Sequence, residues 1–200
     1  VKHNVFCAIM APVCGPYGPM SNLNWHLHPD TMIAKEKAVR PLAILCGEVA
    51  LVQLSKNLHF ICENPHPSRV YEVHPWPRVL QIAGVCRVIY DRCACGLKVI
   101  SGPFKGLFMK KPSSMTASHP EIIKPFLGCD CNHSAEQHLS GDGHPRELSQ
   151  AQIWTWNEAE RIIQGILNMR RADAKTAARA YPVRCEADVA KPSPGLPGGR

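Results

Sequence analysis

No run in the sequence approaches the roughly 20 consecutive apolar residues that a bilayer span needs, and Val1-Lys2-His3 lacks the apolar stretch of a signal peptide. The expectation is an intracellular chain, in nucleus or cytoplasm, without a membrane partner; a start at Val1 rather than Met reads as a fragment, a processed piece or an incomplete gene prediction. Internal repeats are missing, which excludes a fibre or a repeat array. Blocks of like charge are missing too, apart from the pairs Lys110-Lys111 and Arg170-Arg171. Lys and Arg nevertheless exceed Asp and Glu by 23 to 16, giving a net charge of +7 and a pI near 9.0, which favours a polyanion such as DNA or RNA without identifying it.

What is present suits one folded domain. A chain of 200 residues that is 45% hydrophobic can close a core, while 18 Pro and 14 Gly call for long irregular connections. Ten Cys in a chain with no mark of export point to reduced thiols and to metal chemistry before disulfides.

Along the chain, Asn4 to Met10 reads as a buried strand that empties into Ala11-Pro12-Val13-Cys14-Gly15-Pro16-Tyr17-Gly18-Pro19, a rigid loop. Ala38, Leu42, Leu45, Val49 and Val52 recur at steps of three or four, predicting a helix over Ala34 to Leu54 with those residues inward and Pro41 as its kink or start. Leu58 to Cys62 follows as a strand. Strand, loop, helix and strand form a crossover that brings both strand ends, and so Cys14 and Glu63, to one sheet edge. Beyond it are expected a short helix over Trp76 to Ile82, a strand over Val85 to Tyr90, and a hairpin or ordered loop over Leu97 to Pro112. Ser118 with Glu121, and Thr155 with Glu158, read as capping boxes for helices over Pro120 to Leu127 and from Thr155 to about Arg170. The fold class is α/β, with one domain over 1–171, a Cys/His-rich insertion over 91–144, and a flexible Pro/Gly-rich tail over 172–200.

Two groups of residues can carry chemistry. Cys14 sits in a fixed loop after a strand, as a nucleophile requires, and Glu63 follows the next strand; a buried thiol and a solvated carboxylate are the plain alternative. Cys129, Cys131, His133 and His138 crowd into one short run, and Cys93 ends a distant strand. Cys93, Cys129, His133 and His138 would make a closed structural zinc site that cross-links two segments, with Cys95, Cys131 and His144 as substitutes. Unpaired thiols with surface histidines, or disulfides, are the other readings. Lys110 and Lys111 are candidates for phosphate contacts, and Asp91 for orienting a partner. Trp76, Trp154 and Trp156 read as helix-packing side chains.

Pro12-Val13-Cys14 followed by Glu63-Asn64-Pro65 resembles the paired catalytic motifs of cytosine carbon-5 DNA methyltransferases. That resemblance implies a partial Rossmann-like methyltransferase-type sheet, Cys14 as the nucleophile toward carbon 6 of a flipped cytosine, and Glu63 as the contact to the ring nitrogen. Val13 between Pro and Cys, Gly15 after Cys and Pro65 after Asn depart from the family pattern. The Gly-rich loop for the methyl donor would lie before Val1, so S-adenosylmethionine belongs to a longer parent protein. The series from Pro12 through Glu63, Asp91-Arg92-Cys93, Lys110-Lys111-Pro112, Cys129 and His133 to Gly141 also resembles an uncharacterised region of retroelement polyproteins from dinoflagellate-like protists. The implied function is a methyltransferase-like fragment of a mobile-element protein, not catalytic alone, with other polyprotein segments as partners. The alternatives are a zinc-stabilised nucleic-acid-binding or assembly domain, and a non-functional relic.

Overall fold

The computed structural model describes residues 5–19, 21–140 and 149–180. Its centre is a four-stranded mixed sheet of β1 (Cys7–Met10), β2 (His59–Pro65), β3 (Cys86–Asp91) and β4 (Pro112–Ala117) in the order β1-β2-β4-β3. β1 runs parallel to β2, in register from Cys7 opposite His59 to Met10 opposite Cys62. β4 is antiparallel to both of its neighbours, so β1, β2 and β3 share one direction. The chain is therefore α/β, as its pattern predicts.

Alternation along β2 explains the two layers that cover the sheet. Phe60 and Cys62 point to one face, where α2 (Pro29–Ser55) and α3 (Trp76–Val79) bury Ala43, Cys46, Ala50, Trp76 and Val79 against them. Ile61 points to the other, where Val88, Tyr90, Met115 and Ala117 meet Ile122 of α4 (Pro120–Ile123), Phe126, and Ile162 and Met169 of α5 (Trp156–Ala180). A short α1 (Ser21–Leu27) precedes α2.

Several local expectations change. The long helix starts earlier, with Pro29 in its first turn, and continues through Pro41. Its inward face is Met32, Ala43, Cys46, Gly47, Ala50 and Gln53, whereas Ala38, Leu42, Leu45 and Val52 face outward and Val49 is half-buried. Close approach is the reason: a Cβ on Gly47 would stand 2.6 Å from Pro75 Cδ, so only small side chains fit where α2 crosses the segment before α3. By length and composition α2 is also long and apolar enough to cross a membrane, a property the sequence reading missed; here it lies against the sheet.

β4 is the strand that the sequence hides, because Pro-Ser-Ser-Met-Thr-Ala is polar, yet Ser113, Ser114 and Thr116 are all buried. Before it, residues 97–109 form an irregular hairpin, with Val99 N donating to Leu107 O and Met109 N to Leu97 O. α3 is a single turn, and α4 passes into a 3-10 turn over Lys124–Phe126. The cap of α4 is His119, whose Nδ1 accepts from Glu121 N, while the Ser118 hydroxyl instead accepts from Phe60 N across the sheet. Thr155 and Glu158 do form the expected capping box: Thr155 Oγ1 accepts from Glu158 N and Glu158 Oε2 from Thr155 N. α5 runs on to Ala180, so 172–180 are helical and not tail; residues 181–200 and His144 lie outside the described residues.

Candidate functional site

β1 and β2 point their C-terminal ends at one edge of the sheet, where ligand crevices of α/β folds form. A cleft of about 330 Å³ opens there, lined by Ala11 to Gly15, Glu63, Asn64, Pro65, Lys111 and Gln152. Cys14 and Glu63, some fifty residues apart in sequence, thus share one cleft.

The Pro-rich loop is fixed by its own backbone and by its neighbours. Cys14 O accepts from both Tyr17 N and Gly18 N at 2.8 Å, and Ser21 Oγ donates to Pro16 O and Gly18 O. Trp25 Nε1 also donates to Pro16 O. Asn64 ties the two strand ends together by donating to Pro12 O at 3.1 Å, while its own Oδ1 accepts from the Ser68 hydroxyl at 2.6 Å. Asn64 therefore holds the cleft open in one shape.

Glu63 is 7% exposed; its Oε2 accepts from Trp154 Nε1 at 3.4 Å, and its Oε1 is buried without a hydrogen-bond partner. A buried carboxylate oxygen of this kind is costly unless something donates to it. Lys111 Nζ donates to Ala151 O at 2.8 Å; burial, then the Arg92 guanidinium, push its pKa below the ordinary lysine value, against the pull of Glu63 and Cys14. Lys110 is exposed and lies outside the residues that line the cleft. Of the two lysines proposed for phosphate, one thus joins the cleft.

The far wall is held by an ion pair that the sequence reading did not single out. Arg92 and Glu158 side chains are each 1% exposed; Nε meets Oε1 at 2.6 Å and Nη2 meets Oε2 at 2.7 Å. Tyr90 Oη donates to Glu158 as well, and Arg92 donates to Ala151 O and Ile153 O. These bonds fix residues 151–154, which bring Gln152 and Trp154 to Glu63 and the cleft. Trp154 is thus a site residue; Trp76 packs in the core as expected, and Trp156 is 78% exposed. The available clue was the Glu at the third position of a capping box, which usually faces solvent but here is aimed inward.

The Cys/His group lies beyond the end of β3. Cys93, in the 3-10 turn Arg92–Cys95, and Cys131, His133 and His138, in the strap after α4, bring one ligand atom each to within 4.8 Å of one another. Cys131 Sγ is 3.7 Å from His133 Nδ1 and 3.4 Å from His138 Nε2, close to the roughly 3.3 to 3.8 Å edges of a tetrahedron with bonds of zinc length. His138 Nδ1 lies 2.9 Å from Ser134 O; a carbonyl only accepts, so Nδ1 carries the proton and Nε2 turns its lone pair inward. Asp91 Oδ2 accepts from Cys131 N at 3.0 Å, a contact within the chain and not with a partner, and Phe108 stacks on His133. These four residues can hold a metal ion.

Three of the four ligands are those proposed from sequence. The fourth is Cys131 in place of Cys129, because the chain turns so that Cys129 Sγ donates to Pro125 O in the core and lies beside Cys95. Burial, then hydrogen bonding and charge repulsion from Cys131, and Asp91, push the Cys93 thiol up to about 12. A cation is what such a pocket needs to hold thiolates. Comparison of the chain with family models, curated proteins and solved structures finds no match.

Proposed function

We propose that the chain is a methyltransferase-like nucleobase-binding domain of a mobile-element protein, stabilised by zinc at Cys93, Cys131, His133 and His138 and unable to transfer a methyl group alone. The observation that carries this reading is the cleft in which Cys14 faces the same space as Glu63, whose buried Oε1 awaits a donor. The exocyclic amino group of cytosine, or its N3 once protonated, supplies such a donor, and a thiolate at Cys14 suits an electrophilic ring carbon. The sheet supports the reading: three strands share a direction and β4, the last in sequence, is slotted in reverse between β2 and β3, as in one half of a Rossmann-like methyltransferase sheet.

S-adenosylmethionine would supply the methyl group in a longer parent. Among the described residues, the turn after β1 is Pro-rich and the turn after β2 runs through Ser68 and Arg69, and neither is the Gly-rich cradle that the donor requires. No methyl-transfer step is therefore assigned to this chain. Its own part is to bind the base, hold it against Glu63 and add Cys14 to it.

Zinc fits the two-thiol, two-imidazole donor set better than a harder cation does. Its role would be to clamp the strap to the turn that carries Arg92, and so to hold residues 151–154 in the cleft wall. The test is fluorescence anisotropy with a single-stranded oligonucleotide carrying one cytosine, against the same strand with an abasic site. Glu63→Gln should weaken the preference for cytosine by about tenfold, the worth of one hydrogen bond to a charged group. Binding that ignores the base, and is equal in Cys14→Ser and Glu63→Gln, would instead favour a zinc-stabilised nucleic-acid-binding domain, which the Cys/His group and the net charge of +7 also fit.

A further inference from the structure

Where the Pro-rich loop meets α2 and the turn after β2 lies a second cavity, of about 150 Å³, lined by Tyr17, Glu36, Arg40, Arg69, Glu72 and Val73. Tyr17 is 2% exposed and its hydroxyl is buried without a partner. A phenol must donate as well as accept, so the cavity asks for an acceptor beside Tyr17. Two guanidiniums converge on the same space. Arg40 uses Nη1 on Glu36 at 2.9 Å, and Arg69 stands 3.9 Å from Glu72, beyond hydrogen-bond reach, while its guanidinium rests 5.1 Å from the Trp25 ring. Stacking on Trp25 presents the planar fork of Arg69 ready to bind.

The donor set selects the ligand. Guanidiniums repel cations, and three donors arriving from α2, from the loop and from the turn after β2 require acceptor oxygens in three directions. A tetrahedral oxyanion offers these, whereas a planar carboxylate presents two coplanar oxygens. A volume of about 150 Å³ takes a phosphate group and not a whole nucleoside. Glu36 and Glu72 also face the cavity, and their charge is what an incoming anion must displace from the arginines.

We infer that Tyr17, Arg40 and Arg69 form a phosphate-binding site. Two of its three walls continue the segments that build the Cys14 cleft, the third being α2: Tyr17 N donates to Cys14 O, and Arg69 N donates to Tyr17 O at 2.9 Å. A nucleic-acid strand whose base enters the cleft would place a backbone phosphate here, while a free phosphate would use the same contacts. Only the choice of source rests on the nucleobase reading. Burial and Glu36 raise the Tyr17 pKa, so the hydroxyl keeps its proton and stays a donor.

Isothermal titration calorimetry of the full chain with inorganic phosphate tests the site, and the same titration with single-stranded oligodeoxycytidylate tests the source. Phosphate should bind saturably, and Arg69→Gln and Arg40→Gln should each weaken it by about tenfold or more. Tyr17→Phe should weaken it about fivefold while leaving thermal stability equal or higher, because it removes a buried hydroxyl that has no partner. A merely structural Tyr17 would lose stability and leave phosphate binding alone. No saturable phosphate binding, or binding unchanged in Arg69→Gln and Tyr17→Phe, overturns the site. Weaker phosphate binding in Arg69→Gln with full oligonucleotide affinity keeps the site but overturns the nucleic-acid source. Phosphate binding uses neither Cys14 nor Glu63, so a failure of the nucleobase reading would not hide it.

Discussion

Cys129 and Cys131 differ by two positions and by everything that decides whether a thiol can meet a metal. The backbone of Cys131 is held by Asp91 and its sulfur points at two imidazoles, while Cys129 is 6% exposed in the hydrophobic core. Cys131→Ser should weaken zinc by more than the roughly 10- to 100-fold that losing an outer partner costs, and Cys129→Ser should keep full affinity; chelator competition reads both. Residue types and spacing identified a Cys/His site, because few other arrangements gather these donors. The choice between neighbouring cysteines depends on which way the strap turns, and no spacing rule encodes that.

Lys111 carries a pH signature of its own. Its folded pKa lies below the unfolded value, so across the interval between them the unfolded chain binds more protons and stability rises with pH. The benefit of deprotonation is complete above the unfolded pKa and is lost as pH falls through the folded one. Urea titrations from neutral pH to about 10 should show the wild type gaining on Lys111→Met. A constant gap would remove the buried-lysine account.

Among the elements, α5 crosses α4 at Gly165, where an added Cβ would lie 2.3 Å from Ile122 O. Gly165→Ala must push two helices apart and should cost about 1 to 3 kcal/mol in chemical denaturation, whereas Leu45→Ser, on the outer face of α2, should cost little. The Leu45→Ser outcome inverts what periodicity suggested for α2. A hydrophobicity pattern registers large apolar residues, and it marked Leu42, Leu45 and Val52; close contact is made by Ala43, Cys46, Gly47 and Ala50. β4 was missed for a related reason. Its serines and threonine are buried through pairing with β2 and β3, a tertiary fact that a polar string cannot announce. β1, β2, β3 and the start of α5 were visible because alternation, apolar runs and a capping box are local signals.

For the molecule as a whole, Arg92 joins the Cys/His group to the cleft. It lies next to Cys93, pairs with Glu158 of α5, and holds two carbonyls of the cleft wall. Arg92→Met leaves a buried carboxylate without its cation, though Tyr90 Oη and Thr155 N still donate to it, and should cost about 3 to 5 kcal/mol, while adding Glu158→Leu should recover part of that loss, as a double-mutant cycle in denaturant would report. Equal and additive losses would show that the pair is not coupled.

The central claim is that Cys14 and Glu63 act on one pyrimidine ring. On this proposal, addition of the Cys14 thiolate to carbon 6 would move an electron pair toward carbon 5, which would take a proton from solvent; reversal would expel the thiolate and release either hydrogen from carbon 5. No methyl donor takes part in this exchange. The measurement is mass spectrometry of a cytosine oligonucleotide incubated with the full chain in deuterated water. The account predicts deuterium at carbon 5 with the wild type, none with Cys14→Ser and strongly reduced incorporation with Glu63→Gln. No exchange by the wild-type chain on an oligonucleotide that it binds, or exchange that persists in Cys14→Ser, would contradict it.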